Sequence, residues 1–182
     1  MDFELKFNPT ICKDVMMLTA KDFEQFERFD VVLASPPCGC FSIMAVSHHW
    51  KDGTPVDEET LRSICLVKHT LNLIGGLNPK FWVLENPVGM LRKMPFMKIY
   101  HHRVITQCQY GERRMKPTDL WGRFPPSFAA KKCRNNSKCH DGASRGSHDF
   151  GTQSLKLAEE RAKIPYGLSL AVCLACEEAL KL

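Results

Sequence analysis

Cys38 stands just beyond an apolar run that stops at two prolines. Residues 29–34 are mostly apolar and rich in β-branched side chains, which predicts a buried parallel strand. Pro36 and Pro37 fix φ and cannot donate to a β-ladder, so the strand must end and turn there. Cys38 is therefore presented on a stiff loop at the carboxyl end of a strand, where open α/β sheets carry their chemistry. A cysteine held this way is suited to be a nucleophile, and a buried structural thiol is the alternative.

Glu85 follows a second apolar run. Residues 81–84 predict another buried strand, and Glu85, Asn86 and Pro87 come directly after it. Again a strand stops at a proline, and here it delivers a carboxylate to the same edge of the sheet.

A helix is predicted between the two strands. Thr54, Pro55 and Asp57 have the N-cap, N1-proline and N3-acid pattern of a helix start, and Gly75 and Gly76 predict its end. The positions at helical spacing are Leu61, Ile64, Cys65, Lys68 and Leu71. Strand, helix and strand in this order predict a βαβ unit, which makes Cys38 and Glu85 neighbours in space.

Four motifs resemble those of one known family, and they occur along the chain in the same order as in that family. They are Ser35-Pro36-Pro37-Cys38, Glu85-Asn86-Pro87, Gln107-Cys108-Gln109-Tyr110-Gly111 and Ala158-Glu159-Glu160-Arg161-Ala162-Lys163-Ile164-Pro165. Together they resemble the DNA cytosine-5 methyltransferases. The small phage-type members are the most similar, on the residues Lys116-Pro117-Thr118-Asp119-Leu120-Trp121 and Gly151-Thr152-Gln153. The resemblance covers nearly the whole chain.

The resemblance implies an α/β fold with a Rossmann-like class I methyltransferase sheet. It implies methyl transfer from S-adenosylmethionine to C5 of cytosine in double-stranded DNA, with the base flipped out of the duplex. Cys38 would be the nucleophile that adds to C6, and Glu85 the acid at N3. Arg114 and Lys116 fall where the family has residues that hold the target base, and strand alternation would send them to one face. An exposed charged face of an edge strand is the alternative for this pair, and an RNA substrate is compatible with the same chemistry.

The cofactor site is expected to be incomplete. Family members begin with a strand and a glycine-rich turn, whereas the first glycine here is Gly39. The sheet is therefore expected to be N-terminally truncated, with its first strand missing. The resemblance places cofactor contacts on Asp2, Glu4, Asp14 and Pro36. A late start of the reading frame, a second chain that supplies the missing loop, or a catalytically silent or partner-dependent nucleic-acid-binding homologue would each explain the gap.

An irregular recognition insert is predicted at residues 123–151, between a catalytic core (1–122) and a C-terminal helical segment (152–182) that completes the core. The insert is rich in polar and basic residues. Its candidate DNA contacts are Arg123, Lys131, Lys132, Arg134, Lys138 and Arg145. Cys133, Cys139 and His140, with His148 beyond, have the ligand types for zinc, although their spacing matches no standard zinc signature, and free thiols or a redox pair are the alternatives.

Composition sets broader limits. The chain has 182 residues, a formal net charge of +5 and nine cysteines at irregular spacing. The charge is compatible with a polyanionic partner, and the odd cysteine count favours a reducing cytoplasm over a disulfide framework. The sequence contains no apolar run of about 20 residues, so no membrane partner is expected. A zinc cytidine deaminase is excluded because Pro37-Cys38-Gly39-Cys40 has the wrong spacing and no His-x-Glu occurs.

Overall fold

The computed structural model describes residues 1–135, 137–142, 155 and 157–181. Its strands are β1 (Val31–Ala34), β2 (Trp50–Lys51), β3 (Thr54–Pro55), β4 (Phe81–Pro87), β5 (His102–Thr106) and β6 (Pro117–Arg123). Its α-helices are α1 (Val46–His49), α2 (Glu58–Leu77), α3 (Ala158–Ala162) and α4 (Tyr166–Leu180). The described residues also include seven short 3₁₀ turns, three of them in residues 1–30.

A four-stranded mixed sheet organises the chain, in the order β1-β4-β6-β5. β1 and β4 pair in parallel, with Val31 opposite Phe81 and Ala34 opposite Leu84. β4 then pairs antiparallel with β6, and β6 antiparallel with β5. The parallel pair joined through α2 confirms the βαβ unit predicted from the sequence, and the fold class is α/β.

Helices cover both faces of the sheet. On one face, Val67 and Leu71 of α2 pack in a cluster with Leu84 and Trp121. On the other face, residues of α4 pack in a second cluster with Val83 of β4 and its neighbours. Successive side chains of a strand point to opposite faces, which is why Val83 and Leu84 belong to different clusters. Within the described residues no helix is both long and apolar enough to cross a lipid bilayer.

The start of α2 differs from the sequence prediction. Thr54 and Pro55 form β3, which pairs with β2 in a small hairpin, and the helix begins at Glu58. Asp57 is the N-cap rather than the N3 residue, because its Oδ1 accepts the backbone N–H of Thr60 at 2.7 Å. The helix also continues through the two glycines and ends at Asn78 in the left-handed conformation, with φ 45°.

The buried face of α2 is also shifted from the predicted stripe. Leu61 and Cys65 are exposed, whereas Thr60, Val67 and Thr70 are buried. The helix packs against two partners, because Leu73 joins a third cluster with Leu18 and Phe23 of the N-terminal segment while Leu71 faces the sheet. Burial on two sides displaces the stripe that a single apolar face would give.

Candidate active site

The loop that carries Cys38 is fastened to β4 by a side chain. Asn86 is fully buried, and its Nδ2 donates a hydrogen bond to the backbone carbonyl of Pro36 at 3.1 Å. The carbonyl of Cys38 itself accepts the N–H groups of Phe41 and Ser42, each at 3.0 Å, which turns the chain immediately after the cysteine. The residue that follows Glu85 therefore holds the loop that presents Cys38.

A second attachment joins the backbones on either side of the site. The N–H of Met90 donates to the carbonyl of Phe41 at 2.7 Å, and Ser42 forms a β-bridge with Gly89. A Cβ on Gly89 would lie 2.0 Å from that carbonyl oxygen, so only glycine permits the approach. The Cys38 loop and the segment after β4 are thus packed main chain against main chain.

Glu85 is a buried carboxyl group near the carboxyl edge of the sheet. Only 8% of the residue is exposed, and its Oε1 is buried with no hydrogen-bond partner among the described residues. Burial raises the pKa of Glu85 to about 7, and nearby Asp119 adds to the rise while Lys116 opposes it. Such a group carries a proton in a large fraction of molecules at neutral pH, so it can donate a hydrogen bond or a proton.

The Cys38 thiol lies in the same electrostatic environment. Burial raises its pKa, and the positive charges of Lys116 and Arg161 lower it while the Glu85 carboxylate raises it. The charge of Lys116 therefore lowers the pKa values of both Cys38 and Glu85. These three residues, of the four expected to be catalytic, lie close enough to interact electrostatically. The only sequence signal for Arg161 is its place in the last of the four motifs that carry the resemblance.

Arg114 and Lys116 do not alternate along a strand as the sequence predicted. β6 begins only at Pro117, and residues 111–116 are irregular after a turn at Gly111 with φ 96°. Lys116 Nζ donates to the backbone carbonyl of Arg161 at 2.7 Å, and Arg114 forms an ion pair with Glu112 at 2.8 Å. Both cations still line one small cavity with Arg161.

Asp119 forms a buried charge cluster that sequence reasoning missed. It is fully buried on β6, and both of its carboxylate oxygens accept from the guanidinium of Arg92, at 2.8 Å for Nε. His102 Nε2 lies 2.9 Å from Asp119 Oδ1. The only sequence signal for Asp119 is its place in the phage-type motif. Nothing near it in the sequence predicts Arg92 as its partner.

The residues expected at the cofactor site lie in the N-terminal turns and the Cys38 loop. Asp2 Oδ1 accepts the N–H of Glu4 at 2.9 Å, and Glu4 forms an ion pair with Lys6 at 2.7 Å. Asp14 Oδ1 caps a 3₁₀ turn through the N–H of Met16 at 2.9 Å. A β-bridge between Asp2 and Cys12 brings these two stretches together, and Pro36 is buried beside Asn86.

The candidate DNA contacts of the insert are separated in space from Arg123. Arg123 is the last residue of β6 and pairs with Trp82, at the opposite end of β4 from Glu85, and its guanidinium donates to the carbonyl of Pro79. The irregular segment thus begins one residue later than predicted, because the β4–β6 ladder extends through Arg123. The four candidate contacts exposed in this segment are Lys131, Lys132, Arg134 and Lys138, and Arg145 lies outside the described residues.

The three candidate metal ligands lie close together and are joined by a fourth. The thiols of Cys133 and Cys139 and a ring nitrogen of His140 converge with the thiol of Cys108, all within 4.8 Å of one another. His148, the further ligand considered from the sequence, lies outside the described residues. Cys108 belongs to the third of the four motifs, and the sequence gives no sign that it meets the insert.

Comparison with known proteins gives one family match. The sequence profile of the family described as "C-5 cytosine-specific DNA methylase" matches residues 2–106. A curated protein of frog virus 3 (isolate Goorha), named "Probable DNA (cytosine-5)-methyltransferase", is 30% identical over 145 residues, which cover 74% of this chain and 66% of the viral protein.

Two solved structures are also similar. The Entamoeba histolytica methyltransferase EhMeth matches with a TM-score of 0.44 and 15% identity, over 71% of this chain and 43% of that one. A Spodoptera frugiperda DNMT2 mutant matches with a TM-score of 0.44 and 15% identity, over 76% of this chain and 45% of that one. The chain therefore spans less than half the length of either structure.

The mixed α/β sheet agrees with the Rossmann-like methyltransferase class expected from the sequence, and the family profile covers more than half of the chain. The chain belongs to the C-5 cytosine-specific DNA methylase family.

Substituting Glu85 should change how stability depends on pH. Its pKa is about 7 in the folded state against 4.5 in the unfolded chain, so the folded state keeps a proton that the unfolded state releases, and the free energy of unfolding falls as pH rises between these values. Glu85→Gln removes this dependence and should raise the free energy of unfolding by up to roughly 3 kcal/mol at pH 8, with little gain at pH 4.5. Urea denaturation at both pH values measures the difference.

Glu178→Gln is the matched control, since Glu178 is exposed on α4. An equal effect of both substitutions at pH 8, or no effect of Glu85→Gln, would contradict the burial of an ionisable group at position 85.

Proposed function

We propose that this chain transfers a methyl group from S-adenosylmethionine to C5 of cytosine in double-stranded DNA, with Cys38 as the covalent nucleophile. The observation that carries the proposal is the convergence of Cys38, Glu85 and Lys116, in which Lys116 acts electrostatically on both other groups. Membership of the family supports the same reaction.

The reaction needs a nucleophile and an acid because C5 of cytosine is itself a poor nucleophile. The Cys38 thiolate forms a bond to C6, and the electron pair displaced from the ring is stabilised by a proton from Glu85 at N3. The ring then has enamine character, which makes C5 nucleophilic. S-adenosylmethionine, when bound, would supply the methyl group that C5 accepts, and S-adenosylhomocysteine would leave with the electron pair of the broken sulfur–carbon bond. Water would then accept the C5 proton, and the ring double bond would re-form as the Cys38 sulfur leaves with its electron pair. N3 would return its proton to Glu85.

The unpaired oxygen of Glu85 supports a role in holding the base. A buried polar atom without a partner is unfavourable, by about 1–3 kcal/mol, and such atoms are rare in folded proteins. A cytosine in the site offers an amino group and a ring nitrogen to that carboxyl group. Arg114 and Lys116, which line one small cavity, would neutralise a phosphate of the flipped nucleotide.

The residues proposed for the cofactor fit its nucleoside half by their chemistry. Asp2, Glu4 and Asp14 supply carboxylate acceptors for ribose hydroxyls and the adenine amine, and each retains lone pairs beyond its present contact. Pro36 would add an apolar surface. These residues are expected to hold the ribose and the adenine rather than the methionine end, so we expect turnover by this chain alone to be weak.

Cys38→Ser should abolish covalent capture of DNA that contains 5-fluorocytosine, because the serine hydroxyl is a far weaker nucleophile than a thiolate. The adduct is measured by denaturing gel after incubation with S-adenosylmethionine and the fluorinated duplex. Cys65→Ser, at an exposed position of α2, is the control that should still be captured. An adduct that persists in the Cys38 variant would place the nucleophile elsewhere.

Reversing the charges of Lys131, Lys132 and Arg134 to glutamate should weaken DNA binding and flatten its dependence on salt. Each lost phosphate contact lowers the slope of log affinity against log salt by about 0.9, so the slope should fall by about 2–3. Fluorescence anisotropy with a labelled duplex at several salt concentrations measures it. A variant with Lys80, Lys93 and Lys98 reversed carries the same charge change outside the insert, and an equal loss in that control would remove the special role of the insert.

The alternative is a catalytically silent or partner-dependent nucleic-acid-binding homologue. One observation favours it: within the described residues β1 pairs only with β4, and Leu33 on β1 is 55% exposed. A strand and cofactor loop from a second chain would be accommodated at that edge.

Calorimetric titration with S-adenosylmethionine separates the two functions. If the chain is the enzyme, wild type binds the cofactor and Asp14→Asn weakens the binding, while asparagine preserves the 3₁₀ turn because it is an equally good cap. DNA binding without any heat from the cofactor would instead favour the alternative. Asp22→Asn, in a neighbouring 3₁₀ turn, is the matched control.

A further inference from the structure

Four metal-ligand side chains from two separate parts of the chain meet beside the recognition segment. Cys108 follows β5, whereas Cys133, Cys139 and His140 come from the irregular segment after β6. Three thiols and an imidazole that converge on one point form the donor set of a structural zinc site. We propose that Cys108, Cys133, Cys139 and His140 bind one zinc ion, which fastens the segment after β6 to the end of β5.

The distances between the ligand atoms fit a tetrahedral ion. Zinc–sulfur bonds of about 2.3 Å and zinc–nitrogen bonds of about 2.0–2.1 Å place two sulfurs about 3.8 Å apart and a sulfur and a nitrogen about 3.6 Å apart. The Cys108 and Cys139 sulfurs are 3.7 Å apart, and His140 Nδ1 lies 3.7 Å from the Cys133 sulfur and 3.6 Å from the Cys139 sulfur. The Cys108 and Cys133 sulfurs are closer, at 3.2 Å, so binding requires them to separate by about half an ångström.

Neighbouring groups hold the ligands in place through hydrogen bonds, as they do in metal sites. Gln109 Nε2 donates to the Cys139 sulfur at 3.1 Å, a contact that stabilises a thiolate. The backbone N–H of Cys133 donates to Thr106 Oγ1 at 2.8 Å, which fixes that ligand against the last residue of β5. The ligand positions are thus determined by the core as well as by the segment itself.

A disulfide explains the cluster less well. A disulfide would use two of the three cysteines and leave the third thiol and the imidazole without a role at the same point. Soft thiolate ligands with one imidazole in tetrahedral arrangement select zinc among the common divalent metals. A second trio, Cys40, His49 and Glu59, also lies within ligand distance, but its histidine is already paired with Asp57 at 2.8 Å.

The segment after β6 has few other contacts that could hold it in place. Its described residues form no helix or strand, and Phe128 is its main buried apolar side chain. It is held instead by single contacts, such as Tyr110 Oη to the Ala129 carbonyl at 3.2 Å and the Arg113–Asp141 ion pair at 3.0 Å. Segments with so little core are commonly ordered by metal ions, whose binding energy becomes folding energy.

The proposal does not depend on methyl transfer, and metal content tests it directly. The full chain, purified from zinc-supplemented medium and dialysed, should contain about one zinc per chain by mass spectrometry of metals. Cys108→Ser and His140→Ala should each lose most of it, whereas Cys65→Ser should keep it. Zinc retained by both ligand variants, or absent from wild type, would overturn the proposal, as would an intact mass lower by two hydrogens, which marks a disulfide.

Cobalt substitution of the wild-type protein tests the proposal even if Cys108→Ser fails to fold. Wild-type protein loaded with Co²⁺ should give the visible absorption of a tetrahedral thiolate site, and His140→Cys should keep the metal while shifting these bands, because a fourth sulfur replaces nitrogen. Chelation of zinc from wild type should speed amide hydrogen exchange in residues 129–135 and 137–141 and leave β4 unchanged. Bands typical of octahedral cobalt, or exchange unaltered by chelation, would contradict a site that holds this segment.

Discussion

The parallel pairing of β1 with β4 determines where the reactive groups lie. It places the loop after β1 beside Glu85 and Asn86, and the loop is then held by the Asn86 side chain and by the backbone contact at Gly89. One attachment comes from the Asn86 side chain and the other joins two backbone segments, so both kinds of contact set the position of Cys38. Side-chain chemistry at the site can act on a thiol whose position is already fixed.

The sequence was most informative where a local rule acts through the backbone. In the structure β1 ends at Ala34, shortly before Pro36 and Pro37, and β4 ends at Pro87. Proline has no backbone N–H to donate to a β-ladder, which explains why the strands stop there. The apolar runs before them form strands, but only β4 is buried, because β1 lies at the edge of the described sheet and its Leu33 is 55% exposed. Their parallel pairing brings Cys38 and Glu85 to one edge of the sheet. The raised pKa of Glu85, caused chiefly by burial, is compatible with the acid role that the resemblance implies for it.

Features that depend on partners far apart in sequence could not be predicted. Asp57 rather than Thr54 caps α2 because residues 50–55 form a hairpin, which competes for the residues that looked like a helix start. Cys108 meets the ligands of the insert only because the chain after β6 returns along β5, with the Lys131 carbonyl accepting the N–H of Thr106. Arg92 reaches Asp119 by the same kind of long-range packing, for which short motifs contain no signal.

If Cys38 is the nucleophile and Glu85 the acid, as proposed, their pKa values imply that the reactive state, with a thiolate and a protonated carboxyl group, is a minor tautomer. Burial makes the carboxyl group lose its proton near pH 7 and delays ionisation of the thiol, so when the pair holds one proton it resides mostly on sulfur. The form with a thiolate and a protonated acid becomes tenfold rarer for each unit between the two pKa values. A bound nucleotide that brings the pKa values of Glu85 and Cys38 closer together would increase the population that has a thiolate and a protonated carboxyl group. This increase needs no additional contact to the transition state. Substrate binding would then itself activate Cys38.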